Sequence, residues 1–279
     1  MTDSALVLGG GGITGIAWEL GMLAGLAERG IDLRTADLIV GTSAGSVVGA
    51  QLATGVDVEE RYAAQLADPT GEIAARLGRG PLLRFALAAV GRPGPERVRA
   101  RIGRVALSAS TVPEEERIRV IASRLPVHEW PDRALRVTAV DVHTGEFVVL
   151  DRDSGAPLVE AVAASCAVPG VWPPVSTGGR RLMDGGMRSP VNLDLAAGYR
   201  RVAVLAPLVR ALSRSAAVSR QADALRAAGA EVVVASPDAA ALQAIGRNVL
   251  DPARRAAAAE AGRAQAGSAA AEFDALWNR

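Results

Sequence analysis

Residues 5–54 read ALVLGGGGITGIAWELGMLAGLAERGIDLRTADLIVGTSAGSVVGAQLAT, and two strand–loop–helix units follow one another within them. Ala5–Leu8 is a short apolar run of strand type. Gly9–Gly12 breaks it, and apolar residues at helical spacing then run from about Thr14 to Arg29, with Gly30 placed to close the helix. The second unit is Leu38–Val40, a sharp turn over Gly41–Gly45, and a helix of small residues over Ser46–Thr54. Strands that alternate with helices in this way predict a mainly parallel sheet with crossover helices, an α/β fold.

Outward from that stretch the pattern changes. Amphipathic, Arg-rich helices are expected near Val58–Leu66, Leu82–Val90, Glu96–Val105 and Pro113–Arg124, so residues 56–131 read as a helical insertion beside the sheet. Strands resume at Leu135–Val140 and Phe147–Leu150, joined by a hairpin turn at His143–Gly145. A helix at Leu158–Cys166 leads into the Pro-rich loop Pro169–Pro174, then come Arg181–Met183, the turn Asp184–Gly186, and strands at Val202–Leu205 and Glu231–Val234. Asp251–Trp277 is Ala- and Arg-rich and helical, its alanine content reading as composition and not as architecture. The whole chain, 1–279, reads as one domain with a core over about 5–206 and a C-terminal helical segment over about 251–278.

Composition narrows the function classes. With 49% hydrophobic and 22% charged residues, the 279-residue chain has the balance of a globular protein and length enough for a core without disulfides. The 31 basic and 30 acidic side chains leave a formal charge of +1, which argues against nucleic acid as a partner. Every basic residue is arginine, so neither Schiff-base chemistry nor a P-loop lysine is available. Cys166, His128 and His143 are the whole supply of Cys and His, which excludes a disulfide scaffold and an ordinary zinc site. The uncharged stretches 38–56 and 161–179 are interrupted by Gly, Ser, Thr or Pro, and Met1–Ser4 has no basic region of a signal sequence, so a cytoplasmic protein is expected.

Two glycine-rich turns carry the chemistry. Gly41-Thr42-Ser43-Ala44-Gly45 is a G-x-S-x-G sequence between a strand and a helix, the context in which a serine hydroxyl is lifted clear of the backbone at the positive end of a helix. The bland alternative is a tight Gly/Ser turn without catalysis. Gly9-Gly10-Gly11-Gly12-Ile13-Thr14-Gly15 allows backbone N–H groups to converge on an anion, either an acyl-transfer oxyanion or a pyrophosphate, since Gly10, Gly12 and Gly15 satisfy G-x-G-x-x-G. The dinucleotide reading needs an acid at the end of the second strand. Asp32 and Asp37 both precede Leu38–Val40, so the ribose contact is lost, and a nucleotide-binding protein is the second choice.

A serine nucleophile needs a base. No His follows His143, and His128 and His143 both read as ordinary surface or packed residues, so a Ser–His–Asp triad is not expected. A carboxylate in direct contact with the serine serves the same purpose. Asp184, in Met183-Asp184-Gly185-Gly186, has strand residues before it and two glycines after it; Asp141, Asp151 and Asp153 flank the hairpin without that setting. A plain Asp–Gly turn is the competing reading.

In this order, Gly10-Gly11-Gly12-Ile13-Thr14-Gly15, Gly41-Thr42-Ser43-Ala44-Gly45 and Asp184-Gly185-Gly186 resemble the patatin-like phospholipase family, and Ala161–Gly170 resembles the segment that precedes the acid turn there. The resemblance spans about residues 5–206. It implies a three-layer α/β/α fold and a Ser–Asp dyad that hydrolyses acyl esters of lipids without cofactor or metal. Ser43 takes the nucleophile position, Asp184 the general base, and Gly10, Gly11 and Gly12 the oxyanion loop, with Gly15, Gly41, Gly45, Gly185 and Gly186 as motif glycines. Thr14 departs from the pattern, because many members carry Arg or Lys there, and that bears on the preference for anionic substrates. Trp172, with Val168, Val171 and Pro173, is a candidate acyl-pocket wall or ordinary packing, and Cys166 reads as a small buried residue. Leu82, Leu83, Phe85, Leu87 and Val90 read first as a solvated helix packed on the sheet, with an apolar, arginine-flanked patch that meets a membrane surface transiently, as a lid, as the other reading.

Overall fold

The computed structural model describes residues 3–68, 75–76, 78, 80, 85, 87–88, 90–91, 94–209, 211 and 213–278. A sheet of eight strands, β1 (Ser4–Leu8), β2 (Leu38–Gly41), β3 (Ala134–Asp141), β4 (Phe147–Leu150), β5 (Val175–Thr177), β6 (Arg180–Asp184), β7 (Arg201–Leu205) and β8 (Glu231–Ala235), forms its centre. β3-β2-β1-β7-β8 run parallel, and β4, β6 and β5 add an antiparallel flank. The parallel half arises from crossover helices α1 (Gly12–Ala27) and α2 (Ala44–Ala53), as the alternating sequence predicts.

The two faces of the sheet separate along each strand with period two. Leu6, Leu8, Ile39, Leu135, Val137 and Leu205 pack on α1, α2, α6 (Leu158–Ser165) and α9 (Arg255–Trp277). Ala5, Val7, Leu38, Val40, Val202 and Val204 pack on the other side against α7 (Val218–Ala227) and the 3-10 turn Leu193–Ala196. Burial on both faces goes with the continuous apolar run Ala5–Leu8 of β1. The result is a three-layer α/β/α architecture.

Between β2 and β3 lie α3 (Val58–Leu66), α4 (Pro95–Ser108) and α5 (Glu114–Ala122), and no strand occurs among the described residues of 56–131. Of the helix expected over 82–90, Leu82 and Leu83 fall outside the described residues. Ala88 is buried and Phe85 half-buried against Ile102 and Val140, while Leu87 and Val90 are exposed. No helix among the described residues is long and apolar enough to cross a membrane.

Three elements lie beyond the sequence reading: β5, α7 and the short α8 (Ala239–Ile245). One reading is corrected. The small residues of α9 are architecture, because α9 lies against α1 backbone to backbone: a Cβ on Gly262 would run into the Trp18 carbonyl, and one on Gly21 into the Ala259 carbonyl.

The register of β3 fixes where chemistry can occur. Val137 pairs with Gly41 of β2 and with Leu150 of β4, so those strands lie on opposite edges of β3. Ala139 pairs with Val148 of β4 and with Asp184 of β6, which places β6 on the same edge as β2. β2 is parallel and β6 antiparallel to β3, so their carboxyl ends point at each other across one pleat of β3. Ser43 follows one of those ends, and Asp184 closes the other.

Candidate active site

Ser43 sits at the sharp bend between β2 and α2 with φ +52°, a backbone conformation that non-glycine residues rarely adopt and that stores strain at functional sites. The bend holds because neighbouring backbones press together: a Cβ on Gly45 would collide with the Leu8 carbonyl, so α2 starts directly against β1. The Ser43 N–H donates to Ser165 Oγ at 2.9 Å, and its carbonyl accepts from Ser46 Oγ at 2.6 Å and from Cys166 Sγ at 3.3 Å. These bonds hold the residue from three sides, leaving its hydroxyl to point elsewhere.

That hydroxyl donates to Asp184 Oδ2 at 2.7 Å, and Asp184 Oδ1 accepts from the Gly186 N–H at 2.7 Å. Ser43 is 8% and Asp184 3% exposed, so the pair sits in a low-dielectric environment. Burial raises the Asp184 carboxyl from its usual 3.8 to about 6, against the opposing pull of the Ser43 hydroxyl, the Gly186 amide and the Arg117 charge. Neither histidine reaches the pair: His128 is exposed and meets the Ala122 carbonyl at 3.1 Å, and His143 is exposed in the hairpin turn. Of the rival acids, Asp141 accepts from the His143 and Thr144 amides and Asp151 from the Asp153 amide, both within turns.

The glycine loop runs beside the serine. A Cβ on Gly10 would stand 3.6 Å from Ser43 Cβ, and one on Gly15 3.4 Å from Ala44 Cβ. The three candidate oxyanion amides are not equivalent. Gly10 donates to the Pro190 carbonyl at 2.8 Å, so its amide is committed to holding the loop. Gly11 and Gly12 make no such backbone bond among the described residues, and they stand at the start of α1, where N–H groups lack helical acceptors. Gly12 has φ +62° and admits only glycine without strain, since its Cβ would also lie 2.6 Å from the Val249 carbonyl. Asp32 and Asp37, the acids weighed for a dinucleotide site, instead cap the turn before β2 and hold the Ser4 amide, at the end of the sheet away from the glycine loop.

Asn192 is a residue that sequence reasoning left without a role. Fully buried and at φ +49°, it sends Nδ2 to Thr42 Oγ1 at 3.0 Å, to Thr138 Oγ1 at 3.2 Å and to the Ser189 carbonyl at 3.0 Å. Thr42 and Thr138 meet at 2.9 Å. This knot ties the strand ending in Ser43 to the one opposite Asp184. Asn192→Ala is expected to cost about 2–3 kcal/mol in chemical denaturation, because it orphans buried polar groups.

A narrow cavity of about 30 Å³ opens onto Ser43, lined by Gly12, Ile13, Ile16, Val168, Trp172 and Leu250 and also by Cys166, Arg117 and Arg124. Of the acyl-wall candidates, Val168 and Trp172 line it, whereas Val171 and Pro173 do not. Burial pushes the Cys166 thiol up, in keeping with a buried packing residue. Thr14 is buried and donates its hydroxyl to the Val249 carbonyl at 3.2 Å, so no cation enters from that position. The positive charge arrives instead from α5 and its end. Arg117, 3% exposed, lays its guanidinium 4.1 Å over the Trp172 ring, and Arg124 stands beside it. Spacing i, i+4, i+7 puts Arg117, Ile121 and Arg124 on one helical face, and arginine at core-facing positions was the signal available for them.

Comparison with known proteins agrees with the motif pattern. A family model described as patatin-like phospholipase matches residues 6–197. NTE family proteins of Mycobacterium bovis and Mycobacterium tuberculosis, themselves uncharacterised, are 30% identical over 203 residues, a match that covers 70% of this chain and 45% of theirs. A second pair from the same organisms is 30% identical over 193 residues, covering 68% of this chain and 28% of theirs. The chain thus spans less than half the length of these curated relatives. Among solved structures, VipD from Legionella pneumophila is similar with a TM-score of 0.49 at 16% identity, over 99% of this chain and 67% of its own. The type III effector protein ExoU gives 0.44 at 17% identity, over 98% and 54%.

Proposed function

Because the chain belongs to the patatin-like phospholipase family, we propose that it is a serine acyl hydrolase that cleaves lipid esters through a Ser43–Asp184 dyad. The observation that carries this reading is the direct 2.7 Å bond from the Ser43 hydroxyl to a buried carboxylate, with no imidazole between them. Asp184 Oδ2 accepts the hydroxyl proton while Oγ attacks the ester carbonyl carbon. The carbonyl oxygen gains the negative charge and is met by the amides of Gly11 and Gly12, where one such donor is worth about 3 kcal/mol in the transition state. Collapse of the tetrahedral species breaks the bond to the alcohol oxygen, which leaves with the proton held by Asp184. A water molecule then gives its proton to Asp184, its oxygen attacks the acyl carbon, and Ser43 is regenerated as the fatty acid departs. Ile13, Ile16, Val168, Trp172 and Leu250 supply the apolar wall for the acyl chain next to Ser43.

The test is covalent. A lipophilic fluorophosphonate is expected to add one adduct to the wild-type chain, none to Ser43→Ala, and one very slowly to Asp184→Asn, as read by intact mass. The labelling rate carries a pH signature. Asp184 acts as base only when ionised, so the rate should rise about tenfold per pH unit below its value of about 6 and level off above it. A flat profile between about pH 4.5 and 8 would remove Asp184 from the base position. No adduct on folded protein would remove Ser43 as nucleophile.

A further inference from the structure

Ala161–Gly170, the run before the acid turn, takes no part in bond making, yet its centre grips both members of the dyad. Ser165 ends α6, Cys166 and Ala167 follow it, and all three are buried. The Ser43 N–H donates to Ser165 Oγ at 2.9 Å, and Cys166 Sγ donates to the Ser43 carbonyl at 3.3 Å. The Asp184 N–H donates to the Ala167 carbonyl at 3.0 Å. Three consecutive residues therefore hold the main chain of the nucleophile on both sides and that of the base at its amide. Ser43 and Asp184 stand at the ends of β2 and β6, which each pair with β3 and not with each other. The run 165–167 supplies a direct link between the two ends that the sheet does not.

The hold on Ser43 is uneven. Its carbonyl has a second donor in Ser46 Oγ at 2.6 Å, whereas its N–H has Ser165 Oγ as its one acceptor among the described residues. That N–H belongs to a residue at φ +52°, a conformation that persists only where the surroundings fix it. Without the hydroxyl at 165 a buried amide loses its partner. Any turn of the peptide toward another acceptor swings Ser43 Oγ away from Asp184 Oδ2.

We propose that Ser165 is a positioning residue for the reaction, holding the Ser43 amide so that the nucleophile's hydroxyl meets the carboxylate, while Ala167 holds the base in the same clamp. The clamp stands where a triad has a third side chain to orient its base. The assignment rests on Ser43 and Asp184 as the reacting pair. Ser165 is not part of the wall of the cavity at Ser43, so its effect falls on the chemical step and not on binding. A misplacement of about 1 Å in a reacting group costs about 100-fold in rate.

The experiment follows single-turnover acylation by p-nitrophenyl butyrate, a soluble ester, alongside the melting temperature of each variant. Ser165→Ala should lower the saturating rate about 10- to 100-fold and leave the half-saturating ester concentration within about twofold. Ser165→Thr keeps an acceptor oxygen and should stay within about fivefold of wild type, and Ser165→Cys, whose sulfur accepts weakly, should fall between the two. Val159→Ala on the same helix trims a half-buried side chain packed on the core, away from the dyad. It should lower the melting temperature and leave the saturating rate within about twofold. Rates that follow acceptor strength at position 165, and not melting temperature, are the expected result. An undiminished rate in folded Ser165→Ala or Ser165→Cys, a loss confined to half-saturation, or a Thr variant as slow as the Ala variant would overturn the assignment. So would a loss of rate in Val159→Ala that matches its loss of stability. Absence of any fluorophosphonate adduct at Ser43 of the wild type would instead overturn the hydrolase reading on which the assignment stands.

Discussion

Ser43→Ala and Asp184→Asn are both expected to abolish ester turnover, the first by about 100,000-fold and the second by about 1,000- to 10,000-fold, yet to move stability in opposite directions. The argument lies in the burial of the dyad. Asp184 titrates at about 6 in the folded chain against 3.8 ordinarily, so its ionised form is disfavoured by folding. Below pH 3.8 the carboxyl is protonated in both states and costs nothing. As pH rises, the unfolded chain ionises first and stability falls, until the full cost of about 3 kcal/mol is reached above pH 6. The carboxamide that Asp184→Asn installs cannot ionise. Its Oδ1 can accept from the Gly186 amide and its Nδ2 can donate to Ser43 Oγ, so the two contacts of the wild-type side chain persist. Asp184→Asn should therefore match wild type near pH 4 and exceed it by up to about 3 kcal/mol at about pH 8 in denaturant titrations. Ser43→Ala removes one hydrogen-bond donor from the carboxylate and should lose about 1–2 kcal/mol at about pH 8, a loss that fades once the acid is protonated. An Asp184→Asn variant less stable than wild type at about pH 8 would show that the carboxylate is held for structure.

The contrast between two inactive variants also bears on which parts of this site were legible beforehand. Ser43, at a positive φ, and the glycines at 41, 45 and 185, pressed against neighbouring backbone, occupy positions that admit few residue types, so each leaves a mark in the sequence, and Asp184 is found through the glycine that follows it. Gly45 lies against the Leu8 carbonyl and Gly185 against Thr138, and no other residue fits. The pyrophosphate reading loses its ribose acid because Asp32 and Asp37 both lie before β2, a matter of order along the chain, and the structure puts both at the end of the sheet away from the glycine loop. Division of labour within the glycine loop was illegible, because Gly10 and Gly11 differ only in whether a distant carbonyl, that of Pro190, is in reach. Asn192 left no signal for the same reason: its partners are 150 and 54 residues away. β5 escaped notice because three residues carry no periodicity, and α7 because alanine and arginine obscure its apolar stripe of Val218, Ala222 and Leu225.

The largest structural effect is expected from Gly262→Leu on α9, which should cost at least about 4 kcal/mol or prevent folding. In α9 alanine and glycine look like low-information composition, and the intrinsic helix preference of the segment would improve if Gly262 were replaced by a better helix former. The packing opposes this. A Cβ on Gly262 would penetrate the Trp18 carbonyl of α1 and stand 3.1 Å from the Met22 amide, and the atoms it meets are backbone, which cannot rotate away. Gly21 and Gly25 face α9 in the same manner, so the two helices must separate along their length to admit a side chain. Separation would strip Trp18, Met22 and Leu26, all fully buried, of their contacts with α9. It would also displace Leu250, which stands just before α9 and lines the cavity at Ser43. Ala264→Leu is the control, since position 264 is exposed on the same helix and should change stability by less than about 0.5 kcal/mol. Melting temperature and denaturant midpoint separate the outcomes, and equal tolerance of leucine at 262 and 264 would mean that the helices do not touch through their backbones. If Gly262→Leu folds at reduced temperature, its fluorophosphonate labelling at Ser43 should fall along with its stability, because the start of α1 that carries Gly11 and Gly12 moves with the helix.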